Sequence, residues 1–169
     1  MKEKGQSLLE ALIALGAATI VMSAIAVAVI TSVNNSDFSK YLNQATQYSQ
    51  QGVEVLKQQS LSNWGTFSGY QSGSVYCFPQ DVTQFKAPTG VICDPNIGTN
   101  NFFIRNAIIT KGSTSCPGNP NIVANRGTLV SVSTSWTDGK CPAQNPNNTY
   151  CHNATFNTCI TDVDRVSPL

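Results

Sequence analysis

Glu10 is the residue whose type and setting most demand a chemical reason. From Leu8 to Val33 the chain is apolar except for Glu10 and a few small or weakly polar residues, Gly16, Thr19, Ser23, Thr31 and Ser32. An ionised side chain at the centre of a membrane-length helix costs about 2.5–3.5 kcal/mol or more, so it is expected to meet an opposite charge. A cut after Gly5 would create one, because it leaves a new α-amine on Gln6. Glu10 would then stand fifth in the shortened chain, placed to dock on the amine of a neighbouring copy.

The second set of reactive residues is the cysteines: Cys77, Cys93, Cys116, Cys141, Cys151 and Cys159. All six follow the apolar stretch, and their even number points to disulfides in an oxidising compartment. A metal site is the rival reading. It is disfavoured because no two cysteines are separated by only two residues and His152 is the sole histidine. Six cysteines allow 15 pairings. A sequence-local arrangement joins Cys77 to Cys93 and Cys141 to Cys151, leaving Cys116 for Cys159. A bridge closing a loop of about 15 residues is worth roughly 3 kcal/mol.

Catalysis finds no support. Nucleophile-elbow, phosphate-loop and paired-histidine zinc motifs are all missing. The later carboxylates, Asp37, Glu54, Asp81, Asp94, Asp138, Asp162 and Asp164, are scattered, and the close pair Asp162 and Asp164 reads as a solvated terminus. His152 adjoins Cys151, but a disulfide-bonded cysteine cannot attack a substrate, so His152 reads as a loop residue. Asn34, Asn147 and Asn153 begin glycosylation-type triplets that a chain so rich in Asn produces by chance. No enzyme, cofactor or metal is expected.

The elements that must position these residues begin with a helix from Ser7 to about Gln59. Ala11–Val33 is free of charge and meets the roughly 20 apolar residues a membrane span needs. Lys2 and Lys4 precede it and put the N-terminus on the cytoplasmic side. Beyond Ser36, the residues Phe38, Tyr41, Leu42, Ala45, Tyr48, Gly52, Val53 and Leu56 recur at three- and four-residue steps, an amphipathic stripe expected to lie on a sheet. Gly52 costs about 1 kcal/mol against Ala in a helix and is expected to permit close packing. Trp64 and Gly65 mark the helix end. Strands are predicted over Asn101–Thr110, Thr128–Trp136 and Ala154–Ile160 from period-two alternation. In the last of these Ala154, Phe156, Thr158 and Ile160 share one face. The segments Lys111–Arg126 and Thr137–Asn153 read as stapled surface loops.

The N-terminal residues resemble those of type IV pilins and of the pseudopilins of type II secretion. The family pattern is a short basic leader, Gly at the cut and Glu at the fifth mature position, which Gly5 and Glu10 fit. Ser7–Leu15 looks most like the minor-pilin version. Gln6 departs from the usual Phe, and no Pro interrupts the helix before Pro79. The resemblance implies cleavage between Gly5 and Gln6 by a prepilin peptidase, N-methylation of Gln6, and assembly through Glu10. Cyclisation of Gln6 to pyroglutamate would instead remove the charge that Glu10 needs. The implied partners are other pilin or pseudopilin subunits, an inner-membrane assembly platform and the cytoplasmic membrane.

Two other readings of this stretch compete. A secretory signal peptide would be cut near Ala24–Ala26, but its apolar core is shorter than this run and excludes a carboxylate. A plain signal anchor tolerates Glu10 no better.

Bulk composition bounds the rest. The 169 residues suit one exported domain and one long helix. Charged residues make up only 11%, against about a quarter in ordinary soluble domains. The net charge of +1 comes from Lys2 and Lys4 less Glu3, so removing the leader leaves zero. No basic field exists to attract nucleic acid. Lys86, Arg105, Lys111, Arg126 and Lys140 lie in unrelated segments, and no specific nucleic acid is expected.

The expected fold is α+β, a pilin-like ladle with its long helix packed on a small antiparallel sheet. Its expected parts are a leader (1–5), a membrane and filament-core helix (6–33), the amphipathic continuation (34–63) and a stapled β-rich head (64–169). The expected function is a structural subunit of a type IV pilus or a type II secretion-like filament, anchored in the inner membrane and then displayed outside the cell. The alternatives are a membrane-anchored binding or adhesion module that does not polymerise, and a DNA-uptake pilin.

Overall fold

The computed structural model describes residues 3–79, 93–94, 97–98, 102–111, 116, 127–139, 141 and 150–161, with side chains from Leu8 onward. The chain divides into two compact units, Met1–Lys40 and Tyr41–Leu169. The fold is α+β: a long N-terminal helix and a four-stranded antiparallel sheet.

Helix α1 runs Glu3–Ser62 without interruption. Its composition explains that length: it holds no Pro, and Ala, Leu and Gln are strong helix formers. It outlasts the expected end by one short turn and stops where Asn63 turns away at φ −154°. The Asn63 side chain accepts a hydrogen bond from the Thr66 amide at 2.9 Å, which starts a second helix, α2 (Trp64–Ser68). The stretch expected to close the helix is therefore a capped turn, and fully buried Phe67 anchors it.

In the second unit, strands β1 (Val75–Cys77), β2 (Ile104–Lys111), β3 (Gly127–Trp136) and β4 (His152–Thr161) pair in that order, all antiparallel. The predicted alternation holds in β3: Val130, Val132, Thr134 and Trp136 face inward, and Leu129, Ser131, Ser133 and Ser135 are half-buried on the other side. In β2 the inward set is Arg105, Ala107 and Ile109. Strand β1 was not expected, since three residues are too few to express a period.

Residues 41–62 of α1 lie against the inner face of the sheet. Val53 and Leu56 join Phe67, Phe78, Ala107, Val130, Val132 and Ile160 in one core. Ala45 joins Ile97, Phe103 and Trp136 in a second, flanked by Tyr41 and Tyr48. The expected stripe is thus core from Tyr41 to Leu56, but Phe38 and Leu42 remain 38% and 37% exposed. Gly52 sits at a close approach of the helix to the sheet. A Cβ there would stand 2.8 Å from Val132 Cγ1 and 3.1 Å from the Phe78 ring, so the close packing needs a residue without a side chain. Gly98, at φ +88°, turns the backbone against the Phe103 ring.

Strand β4 departs from the expected pattern. Ile160 is buried and Ala154 and Thr158 are half-buried, but Phe156 is 39% exposed. The reason is position: β4 is the outer strand, and Phe156 borders a small open cleft of about 110 Å³ shared with Gln50, Val53, Glu54 and Lys57 of α1.

Candidate functional site

The first candidate site is the N-terminal helix. Gly5 and Gln6 lie in its first turns. Glu10 is exposed, and so is every described residue from Leu8 to Val33, with Leu9, Leu12, Ile13, Ile20 and Met22 between 62% and 72% accessible. The helix is long and apolar enough to cross a membrane. Its hydroxyls do not break that character. Thr19 donates to the Gly16 carbonyl at 2.8 Å, Ser23 to Thr19 at 2.8 Å and Thr31 to Val27 at 2.9 Å. These three hydroxyls are satisfied by their own helix, as a hydrocarbon environment requires.

The second is the polar content of the head. All six cysteines are bonded: Cys77–Cys93, Cys116–Cys159 and Cys141–Cys151. This is the sequence-local arrangement, and the two later bridges tie Cys116 to the sheet's outer strand and Cys141 to that strand's N-terminal flank.

His152 is not a loop residue but the first residue of β4. Strand register brings it opposite Trp136, with ring centroids 5.4 Å apart. Two residues beyond Trp136, the Asp138 carboxylate lies 3.2 Å from His152 Nε2. Asp138, Cys151 and His152 place one potential ligand atom each within 4.8 Å of one another. Because the Cys151 sulfur is bonded to Cys141, the group offers one imidazole and one carboxylate rather than a thiolate-bearing ligand set. Asp138 and His152 looked unrelated in sequence, and the pairing of β3 with β4 is what joins them. Asp81, Asp162, Asp164 and the Asn147 triplet lie outside the described residues.

Arg105 is the residue whose role sequence reading missed. It is 1% exposed. Its Nε donates to the Phe78 carbonyl at 3.1 Å, Nη1 to the Tyr48 carbonyl at 3.0 Å and to Gln51 Oε1 at 3.4 Å, and Nη2 to the Pro79 carbonyl at 3.0 Å. The Phe78 amide returns a bond to the Arg105 carbonyl at 3.0 Å, and the guanidinium lies 4.3 Å from the Phe78 ring centroid. Burial lowers its pKa to about 10, so it stays charged at neutral pH. One planar cation therefore joins α1, the chain after β1, and β2. The signal for it was its inward parity with Ala107 and Ile109.

This burial bears on nucleic-acid binding. Arg105 is spent inside the core, and Lys111 Nζ is hydrogen-bonded to the Ser68 carbonyl. Lys86, Arg126 and Lys140 lie outside the described residues.

A third buried polar contact fixes the helix on the sheet. Ser49, fully buried, donates to the Ala154 carbonyl and shares a hydroxyl–hydroxyl hydrogen bond with Thr134 Oγ1, both at 2.8 Å.

No protein-family profile matches this chain, and neither a curated protein nor a solved structure matches it.

Proposed function

We propose that this chain is a structural subunit, of minor-pilin or pseudopilin type, of a type IV pilus or type II secretion-like filament. The observation that carries the proposal is the exposed apolar helix with Glu10 as its sole charge between Gln6 and Ser36. Such a surface has to be covered, first by a bilayer and then by like helices. Apolar contact alone sets no register, because sliding one helix past another changes little buried area. A carboxylate near one end, paired with the amine of a neighbour, selects one stagger. In a low-dielectric bundle either charge is costly alone and tolerable in the pair.

The reading assigns the bond between Gly5 and Gln6 as the site of prepilin peptidase cleavage, Gln6 as the methylated N-terminus and Glu10 as the assembly charge. The disulfide-bonded head would be carried outside the membrane.

The test is intact-mass and N-terminal peptide analysis of the protein from its native membrane or a sheared surface fraction. A chain beginning at Gln6, methylated, is the expected result. A chain retaining Met1–Gly5 would leave an anchored binding module, and one beginning near Ala26 a secreted protein; either overturns the assignment. Glu10→Ala should then abolish incorporation into filaments while the head stays folded.

A further inference from the structure

The sheet has two very different edges. Strand β1 is three residues long, and Cys77 within it is bridged to Cys93. A short, stapled edge gives little purchase to another strand. Strand β4 is ten residues long and pairs with β3 over all ten positions without a bulge. It contains no Lys, Arg, Asp, Glu or Pro, so it lacks the charges, prolines and bulges that ordinarily protect an outer strand. Five of its residues, Asn153, Thr155, Phe156, Asn157 and Cys159, are exposed. Among the described residues no strand lies beyond it.

We propose that the outer edge of β4 pairs antiparallel with the β4 edge of a second copy of this chain, centred on Phe156. Three observations select a second copy. The first is charge: the strand is neutral, and the charged residues on the adjoining cleft wall, Glu54 and Lys57, are already paired with each other at 3.0 Å. An acidic or basic partner would gain nothing, while two copies meet without like-charge opposition.

The second is self-complementarity. With Phe156 opposite Phe156, Ala154 faces Thr158 and His152 faces Ile160 on the inner side. Thr155 faces Asn157 on the outer side, a neutral polar pair. This alignment engages nine of the ten residues, His152–Ile160. Slipping it by one residue sets Phe156 across from Asn157, an outward-facing position.

The third is the aromatic itself. Phe156 is the large hydrophobic residue that β4 leaves exposed, at the strand's midpoint and beside the open cleft. Directly opposed aromatic residues are a favourable cross-strand pair. The contact lies wholly in the second unit and does not rest on the filament reading.

Cysteine cross-linking of the full chain in detergent tests it, since every native cysteine is bridged and a new one is the sole thiol. Directly opposed Cβ atoms lie about 4.5–5.5 Å apart. Positions four residues out of register lie roughly 13–14 Å apart, beyond disulfide reach. Phe156→Cys should therefore form a dimer on mild oxidation, and Ala154→Cys or Thr158→Cys alone should not. An equimolar mixture of the latter two should regain the dimer, and adding Phe156→Lys to both should reduce that yield about tenfold or more. Circular dichroism checks that each variant folds. Equal cross-linking at all three positions, none at Phe156→Cys, or an adduct only with another polypeptide would overturn the pairing.

Discussion

Gly52→Ala sets two known effects of opposite sign against each other. Replacing a helical glycine by alanine is worth about 1 kcal/mol in favour of the variant. The new methyl would stand 2.8 Å from Val132 Cγ1 and 3.1 Å from Phe78, both fully buried. Overpacking of that kind costs about 1–3 kcal/mol, so the net expectation is a loss of about 1 kcal/mol. Val132→Ala removes the offending Cγ1. In that background Gly52→Ala keeps its helix-propensity gain and buries a methyl worth about 0.8 kcal/mol, less what remains of the Phe78 crowding. It should therefore stabilise by about 1 kcal/mol, giving a coupling of roughly 2 kcal/mol between the two sites. Urea unfolding with disulfides intact measures this, because both tryptophans, Trp64 and Trp136, lie in the second unit and report its unfolding by fluorescence. Stabilisation by Gly52→Ala in both backgrounds would mean that propensity alone acts. The helix would then not seat on Val132 and Phe78 as described.

Arg105→Lys should cost about 2–3 kcal/mol in the same assay, since one ammonium cannot reproduce the planar fork that reaches three backbone carbonyls; a loss under about 0.5 kcal/mol would refute the clamp. Removing Cys116–Cys159 as a serine pair should destabilise more than removing Cys141–Cys151. Their separations of 43 and 10 residues give loop-entropy terms of about 4 and about 2.7 kcal/mol, and equal losses would count against that ordering. Burial raises the pKa of Tyr70 above its ordinary 10.0. The unfolded chain then loses its phenolic proton first, so the contribution of Tyr70 is full below about pH 10 and declines as pH rises beyond it. Tyr70→Phe should flatten that decline in chemical-denaturation midpoints taken across alkaline pH, and an unchanged slope would show that Tyr70 does not carry it.

Much of the head was legible because its signals are local. Period-two alternation in Thr128–Trp136 comes from one half-buried strand, and the three- and four-residue steps from Tyr41 to Leu56 come from one helix face. What the sequence concealed depends on partners distant along the chain. Arg105 has the composition of a surface residue, and it becomes core because β2 register turns it inward beneath α1, where backbone carbonyls at Tyr48, Phe78 and Pro79 receive it. Asp138 and His152 meet only once Trp136 is aligned with His152 across the β3–β4 ladder. Phe156 follows its strand's alternation and still stays exposed, because its inner-face neighbour is an open cleft rather than the body of the helix.

Two surfaces on this chain call for a cover, and they differ in the force that would supply it. Leu8–Val33 presents apolar area, whose burial is favourable and non-directional, so a helix of that kind adheres in many staggers. On the proposed filament reading its specificity would come from Glu10, the sole charge in that stretch. The edge of β4 presents backbone donors and acceptors at fixed spacing, so its register is built in, and a shift by one residue exchanges inward and outward side chains. The two contacts therefore predict opposite sensitivities. Altering Glu10 should change which stagger or assembly forms while association of the apolar helices persists, whereas placing a charge at Phe156 should weaken the strand contact about tenfold or more and leave helix association untouched. A single variant that removed both would mean that the two surfaces are not independent.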